Sequence, residues 1–292
     1  MQMLGTSPSM TKEELADFVG SLRGIFAAAQ NQIAARHRRG SRSMKITVMG
    51  ASGRIGTRLV EDLSQAGIEV VSASPSLGRV DSVTGEGLRK AIAGADVVID
   101  VTNAASFGDN SALAFFKAST RNLLAASADA GVGHYIALSV VGTPRLVESD
   151  YFRAKMVQEN LIRAARRPYT ILHSTQFFEF IGGVIDMGAD GDGFRLPSAY
   201  IQPIAADDVA EILAELAMGA ARNDTTEICG PDQFGLDEIA RMHLAANEDL
   251  RQVTTDDSAR YYGVELNDDT LLPLKGARRG SRRYAEWLTM SD

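Results

Sequence analysis

From residue 44 onward, short apolar runs alternate with longer stretches in which apolar positions recur every three or four residues. That alternation predicts β-α units feeding a parallel sheet. The apolar runs fall at 45–49, 69–73, 96–101, 134–140 and 169–173. They are rich in Val and Ile and mostly lack in-out alternation, as strands covered on both faces require. Helical stretches lie between them at 54–66, 87–93, 110–130 and 152–165. After about Gln176 the pattern loosens. Gly182, Gly183, Gly188, Gly191 and Gly193 interrupt it, and helices are predicted at 206–218, opening on Asp207-Asp208, and at 236–246.

The first 43 residues follow a different rule. Thr11 with Glu14 three residues later has the capping-box pattern, and Leu15, Phe18, Val19, Leu22, Ile25 and Phe26 continue at helical spacing. This amphipathic helix runs into a basic linker, Arg36-His37-Arg38-Arg39-Gly40-Ser41-Arg42-Ser43. Two readings stand. The segment is an extension ahead of a natural start at Met44, or it is an arm laying its apolar stripe on a neighbouring subunit of a homo-oligomer.

Composition narrows the class. The chain has 292 residues, 45% of them hydrophobic, which is enough for one large core or two small ones. A net charge of −7 points away from nucleic acid, whose phosphates call for a basic face. Cys229 is the single cysteine, so neither an intramolecular disulfide nor a multi-cysteine metal site is expected. No apolar run reaches the roughly 18 residues of a membrane span, and the N-terminus lacks a signal-peptide pattern. The expectation is a cytoplasmic protein that acts on a small molecule, away from membranes.

The first strand runs directly into Gly50-Ala51-Ser52-Gly53-Arg54-Ile55-Gly56, and a helix follows with Leu59, Val60 and Leu63 on one side. Glycines in that place let the chain turn tightly, let backbone approach a pyrophosphate, and let helix pack close on strand. The helix start adds free N–H groups and the positive end of its dipole. Three glycines are a weak signal alone in a chain with 27 of them; the order strand, turn, helix makes the signal strong. The fold expected is therefore α/β, a Rossmann-like doubly wound parallel sheet over 44–175. A small C-terminal substrate-binding subdomain, with the remaining sheet elements, would occupy 176–292. The second strand ends Val70-Val71-Ser72-Ala73-Ser74-Pro75-Ser76, without the acid that an NAD site places on the ribose 2′-hydroxyl. Arg54, Arg79 and Ser74 are instead suited to a 2′-phosphate, so NADP(H) is expected over NAD(H).

The fourth strand ends Ala137-Leu138-Ser139-Val140-Val141-Gly142, and Tyr151-Phe152-Arg153-Ala154-Lys155 follows. On a helix Tyr151 and Lys155, at i and i+4, share a face. An ammonium beside a phenol lowers the phenol's pKa toward working pH, so Tyr151 can exchange a proton while hydride moves to or from a nicotinamide. Ser139 would hydrogen-bond the substrate oxygen. The structural alternative is a surface helix on which Lys155 pairs with Glu159.

These motifs, together with Thr84-Gly85-Glu86-Gly87, Pro168-Tyr169-Thr170-Ile171-Leu172 and Thr175-Gln176-Phe177-Phe178, resemble an atypical short-chain dehydrogenase/reductase of the NmrA-like group. The resemblance implies that Gly50, Ser52, Gly53, Arg54, Ile55 and Gly56 hold the cofactor phosphates. It implies that Val101, Thr102 and Asn103 lie along the adenosine side, and that Lys155 touches the nicotinamide ribose. Gln176, Phe177 and Phe178 would flank the nicotinamide and substrate. Members often carry Arg where this chain has His173, whose plain role would be a strand-capping hydrogen bond. The group implies two activities: reduction of small carbonyl, quinone-like or conjugated acceptors, or non-catalytic sensing of NADP redox state through a protein partner. The four histidines show no ligand spacing and no Gly-x-Ser-x-Gly elbow occurs, so metal and hydrolase chemistry are not expected. Phe177, Phe178 and Phe180 suit either a hydrophobic pocket or a core.

Overall fold

A computed structural model describes residues 43–78, 80–106 and 111–290. The expected N-terminal helix, nearly all of the basic linker and Arg79 lie outside the described residues. Lys45–Asp292 makes one compact unit.

Strands β1 (Lys45–Met49), β2 (Glu69–Ala73), β3 (Val97–Asp100), β4 (His134–Val140) and β5 (Tyr169–Ser174) form where the apolar runs place them. Two further strands, β6 (Asp224–Cys229) and β7 (Arg278–Arg279), extend the sheet. All pairings are parallel, in the order β7-β6-β5-β4-β3-β1-β2. After β1 the chain steps outward to β2, then returns to lay β3 on the other side of β1. The direction of winding reverses there, and the crevice beyond the C-terminal ends of β1 and β3 opens at that point.

Helix α1 (Arg54–Gln65) buries Ile55, Leu59 and Leu63, spaced one turn apart, and ends into Gly67 at φ 77°, the left-handed turn that stops a helix. Helices α2 (Leu88–Ile92), α3 (Ser111–Asp129), α4 (Asp150–Ala164), α5 (Ile181–Asp186), α6 (Ala206–Met218), α7 (Leu236–Ala246) and α8 (Tyr284–Met290) follow among the described residues. α1 packs with α6, and α2 packs with α3, which packs with α4, so the sheet is wound on both faces. The helix carrying Tyr151 begins at Asp150, two residues before the predicted start, and Ser149 is its N-cap.

Two main cores result. One lies on the sheet, where Met49, Val98, Tyr135, Ala137, Ile162 and Ile171 pack. The other belongs to the C-terminal region, where Phe178, Ile181, Phe194, Leu236, Ile239 and Tyr284 pack. Fully burying an aliphatic or aromatic side chain of this size contributes about 1.5–3 kcal/mol. A two-stranded hairpin, Arg260–Tyr261 with Val264–Glu265, leaves the second core and carries Tyr262 toward the crevice.

Candidate functional site

The crevice is a cavity of about 870 Å³, within the usual size range for small-molecule sites. Its floor at one end is the glycine turn. Gly50 has φ 83°, and a Cβ there would stand 2.9 Å from the Val101 carbonyl oxygen. At Gly56 a Cβ would come within 2.2 Å of the Gly50 carbonyl oxygen, so only hydrogen lets α1 seat on the turn. The α1 N-cap, Gly53, makes no side-chain cap bond, and the first turn of the helix contains no acid. Uncapped N–H groups, the positive dipole end and Arg54 thus face the cavity, an arrangement that fits a dinucleotide pyrophosphate.

Of the residues expected at the cofactor, Gly50, Ser52, Gly53, Arg54, Ile55, Gly56, Ser74, Val101, Thr102, Asn103 and Lys155 all line this cavity. Ser74 accepts from the Leu77 amide at 3.2 Å and lies 3.1 Å from the Ser76 hydroxyl. The far wall holds Gln176 and Phe177. Phe178 is a correction: it is 1% exposed, packed edge-on against Tyr284 in the second core, and it does not line the cavity. Phe180 takes that place, stacked on Phe177 with ring centroids 5.6 Å apart. The single turn from Phe178 to Phe180 sends alternate rings to core and cavity.

Ser139, Tyr151 and Lys155 all line the same cavity. Lys155 is buried; its ammonium donates to the Leu138 carbonyl at 2.9 Å and to Gln158, and sits 4.5 Å from the Phe116 ring centroid. Gln158 in turn donates to Asp100, which also accepts from the Tyr135 hydroxyl at 2.9 Å and twice from Thr102. Burial pulls the Lys155 ammonium down to about 8, opposed by the Asp100 and Glu159 carboxylates. Lys155 does not pair with Glu159 through the helix, because Glu159 is engaged elsewhere.

Tyr151 donates a long bond, 3.4 Å, to Asn103, and its ring stacks on Tyr262 with centroids 6.0 Å apart. The expected lowering of its pKa by Lys155 is not found. Burial pushes the phenol up, the Tyr262 hydroxyl adds to this, and only the Asn103 bond opposes. A half-buried ring amid Phe116, Phe152 and Tyr262 is surrounded by groups that solvate a phenolate poorly.

Behind Ser139 stands a set of buried groups that the sequence did not single out together. Ser139 donates to Glu159 at 2.6 Å, and the same carboxylate oxygen lies 2.8 Å from His173 Nε2. His173 Nδ1 faces Glu227 at 3.5 Å. His173 is thus more than a strand cap. Tyr261 and Tyr262 were also missed at the cavity wall. The signal for them is Tyr262-Gly263 between Arg260-Tyr261 and Val264-Glu265, a two-residue hairpin turn with positive φ at both positions, 48° and 83°.

Among the described residues, no group of three or more His, Cys, Asp or Glu is placed to hold a metal ion, and no helix is long and apolar enough to cross a membrane.

The sequence profile of a family described as NAD(P)H-binding matches residues 50–219. A curated relative, the chloroplastic divinyl chlorophyllide a 8-vinyl-reductase of Cucumis sativus, is 22% identical over 263 residues, which cover 78% of this chain. This chain spans only 62% of that relative's length. Among solved structures, a short-chain dehydrogenase/reductase superfamily protein from Agrobacterium tumefaciens with bound NAD superposes with a TM-score of 0.64 at 17% identity, covering 85% of this chain and 95% of its own. The dTDP-4-dehydrorhamnose reductase of Bacillus anthracis, in complex with NADP, gives 0.61 at 14%, covering 86% and 98%. At these identities the two structures speak for the fold.

Proposed function

The chain belongs to the NAD(P)H-binding family, and from that premise we propose that it is an NADPH-dependent reductase of a small carbonyl, quinone-like or conjugated substrate, with Tyr151 as proton donor. The observation that carries this reading is that Ser139, Tyr151 and Lys155 line one cavity with the uncapped glycine turn. The 8-vinyl-reductase relative, whose name describes reduction of a vinyl group, supports a conjugated acceptor. NADP(H) is preferred because β2 ends at Ala73 with Ser74 and Ser76 beyond it, while Arg54 lies at the cavity. A guanidinium and hydroxyls suit a 2′-phosphate, where a carboxylate would repel it.

A bound nicotinamide supplies the hydride. Lys155 would hold the nicotinamide ribose, and Ser139, on turning its hydroxyl from Glu159, would hold the substrate oxygen beside Tyr151. Burial keeps the Tyr151 phenol protonated at neutral pH, the form a reductase needs at the start of each cycle. The Phe177, Phe180, Tyr261 and Tyr262 rings give the substrate end an apolar, aromatic wall that excludes water from the transfer.

The test is loss of reduced-nicotinamide absorbance in the presence of a broad acceptor panel. Wild type should oxidise NADPH, and Tyr151→Phe should lower turnover roughly tenfold or more with cofactor affinity near wild type. Undiminished turnover in that variant ends the Tyr151 mechanism. Tight NADPH binding without oxidation by any acceptor would instead mark a redox sensor working through a protein partner.

A further inference from the structure

Ser139 on β4, His173 on β5 and Glu227 on β6 are direct register partners across three adjacent parallel strands. Residues in register on neighbouring parallel strands point to the same face of a sheet. The three therefore form one lateral row, and Glu159 reaches down from α4 to join its first two members. Ser139, Glu159 and His173 are each at least nine-tenths buried. Only the Ser139 end of the row opens on the cavity.

Building on the reductase reading, we propose that Glu159, His173 and Glu227 store behind Ser139 the proton that each reduction consumes. The charges facing His173 are one-sided. Glu159 approaches from α4 and Glu227 from β6, and among the described residues no cation contacts the ring directly. Arg163 on α4 engages the far oxygen of Glu159 at 2.8 Å, and Arg145, from the turn after β4, acts on Glu227 from a distance. Glu227 also accepts from the Leu274 amide at 2.5 Å. Although burial opposes a charged ring, the two carboxylates outweigh it and hold His173 protonated above the ordinary imidazole value. Both glutamates are correspondingly held below the usual carboxylate range.

Reduction of a carbonyl adds a hydride to carbon, drawn from the nicotinamide, and one proton to oxygen. The Tyr151 O–H bond breaks as the substrate O–H bond forms. The product oxygen then takes the Ser139 proton and returns the first proton to the Tyr151 phenolate. Ser139 is refilled through Glu159 from His173 Nε2, which leaves a neutral imidazole and an ionised Glu159. Net, one proton passes from His173 to product, while Tyr151, Ser139 and Glu159 return unchanged. Water entering the emptied cavity recharges His173 by the same path.

The experiment compares the full chain with His173→Gln between about pH 5 and about pH 9, using an acceptor that wild type reduces. The store is full below the folded pKa of His173 and empties as pH rises through it. Wild-type kcat should fall along a one-proton limb above 6.5, the ordinary imidazole value, with the acceptor KM little changed. His173→Gln should lack the limb and run roughly tenfold or more slower below it. A retained limb, or unchanged kcat, overturns the proposal. A second readout does not depend on that variant folding or on turnover. In the NADP-bound wild type, nitrogen-15 spectra should show one imidazole titrating above the ordinary value of 6.5, and Glu227→Gln should shift its titration to lower pH. Four imidazoles all titrating at or below 6.5 would overturn the store while leaving the reductase reading intact. Failure of the wild type to oxidise NADPH in the presence of any acceptor of the panel removes the reductase reading itself.

Discussion

The two ends of the cavity are built by opposite means. The cofactor end is mostly backbone: a glycine turn, the open start of α1 and the loop that follows β3, gathered from within about fifty residues of chain. The substrate end is mostly side chain, drawn from α4, the Phe177–Phe180 turn and the hairpin that carries Tyr262. A backbone cradle fixes its ligand by geometry and tolerates almost no added atom. A wall of rings fixes its ligand by shape and can be rebuilt without disturbing the fold. The first end therefore states the cofactor class in the sequence, whereas the second leaves the substrate unnamed.

Four substitutions would break or sharpen that contrast. The largest effect is expected at Phe178, the aromatic residue that belongs to the core and not to the wall. Phe178→Ala should destabilise the protein by about 3–5 kcal/mol, the range for deleting a buried aromatic ring. Phe177→Ala, one residue earlier, should cost far less in denaturant unfolding and act on the acceptor KM. Equal losses of stability would show that the wall is part of the core.

Next comes the cradle. In Gly56→Ala the new Cβ would meet the Gly50 carbonyl oxygen 2.2 Å away, and backbone must move. A stability loss of about 1–3 kcal/mol is expected, with NADPH affinity falling by more than tenfold in a calorimetric titration. Cofactor affinity at the wild-type level would mean that the turn has slack its geometry does not suggest.

The smallest change in stability is expected at Tyr262, a bulky residue held at φ 48°. Asn tolerates this left-handed region better, so Tyr262→Asn should recover part of a strain of about 1 kcal/mol. It should also lose a stacking contact with Tyr151 worth about 0.5–1.5 kcal/mol. Thermal stability should then hardly move while the acceptor KM rises severalfold. A KM that does not respond would remove the hairpin from the substrate wall.

The same division explains what could be read in advance. β1, β2 and β4 have the limits their apolar runs predict; β1 and β4 are central strands covered on both faces and carry a nearly unbroken hydrophobic mark, whereas β2 is a half-covered edge strand. The glycine turn is legible because only glycine satisfies its close approaches. β6 was missed because Asp224-Thr225-Thr226-Glu227 is polar and only Ile228 and Cys229 are fully covered. β7 is two arginines, and nothing local marks it as a strand. Tyr151 and Lys155 both line the cavity, but the effect of its neighbours on Tyr151 was not foreseeable. That effect comes from burial and from Tyr262, more than a hundred residues further along the chain. Ser139, Glu159, His173 and Glu227 could be recognised together only once strand register was known.

That register carries an evolutionary constraint of its own. Positions along a strand come in steps of about 3.3 Å, and a shift of one residue turns a side chain to the opposite face. A two-residue slip of β5 would keep His173 on its face yet carry it about 6.6 Å along the strand, beyond any hydrogen bond to Glu159. Insertions and deletions should therefore be accepted in the turn after α4 only when the strand that follows keeps its phase. In this molecule, the length of a surface loop helps decide what happens at the floor of the cavity.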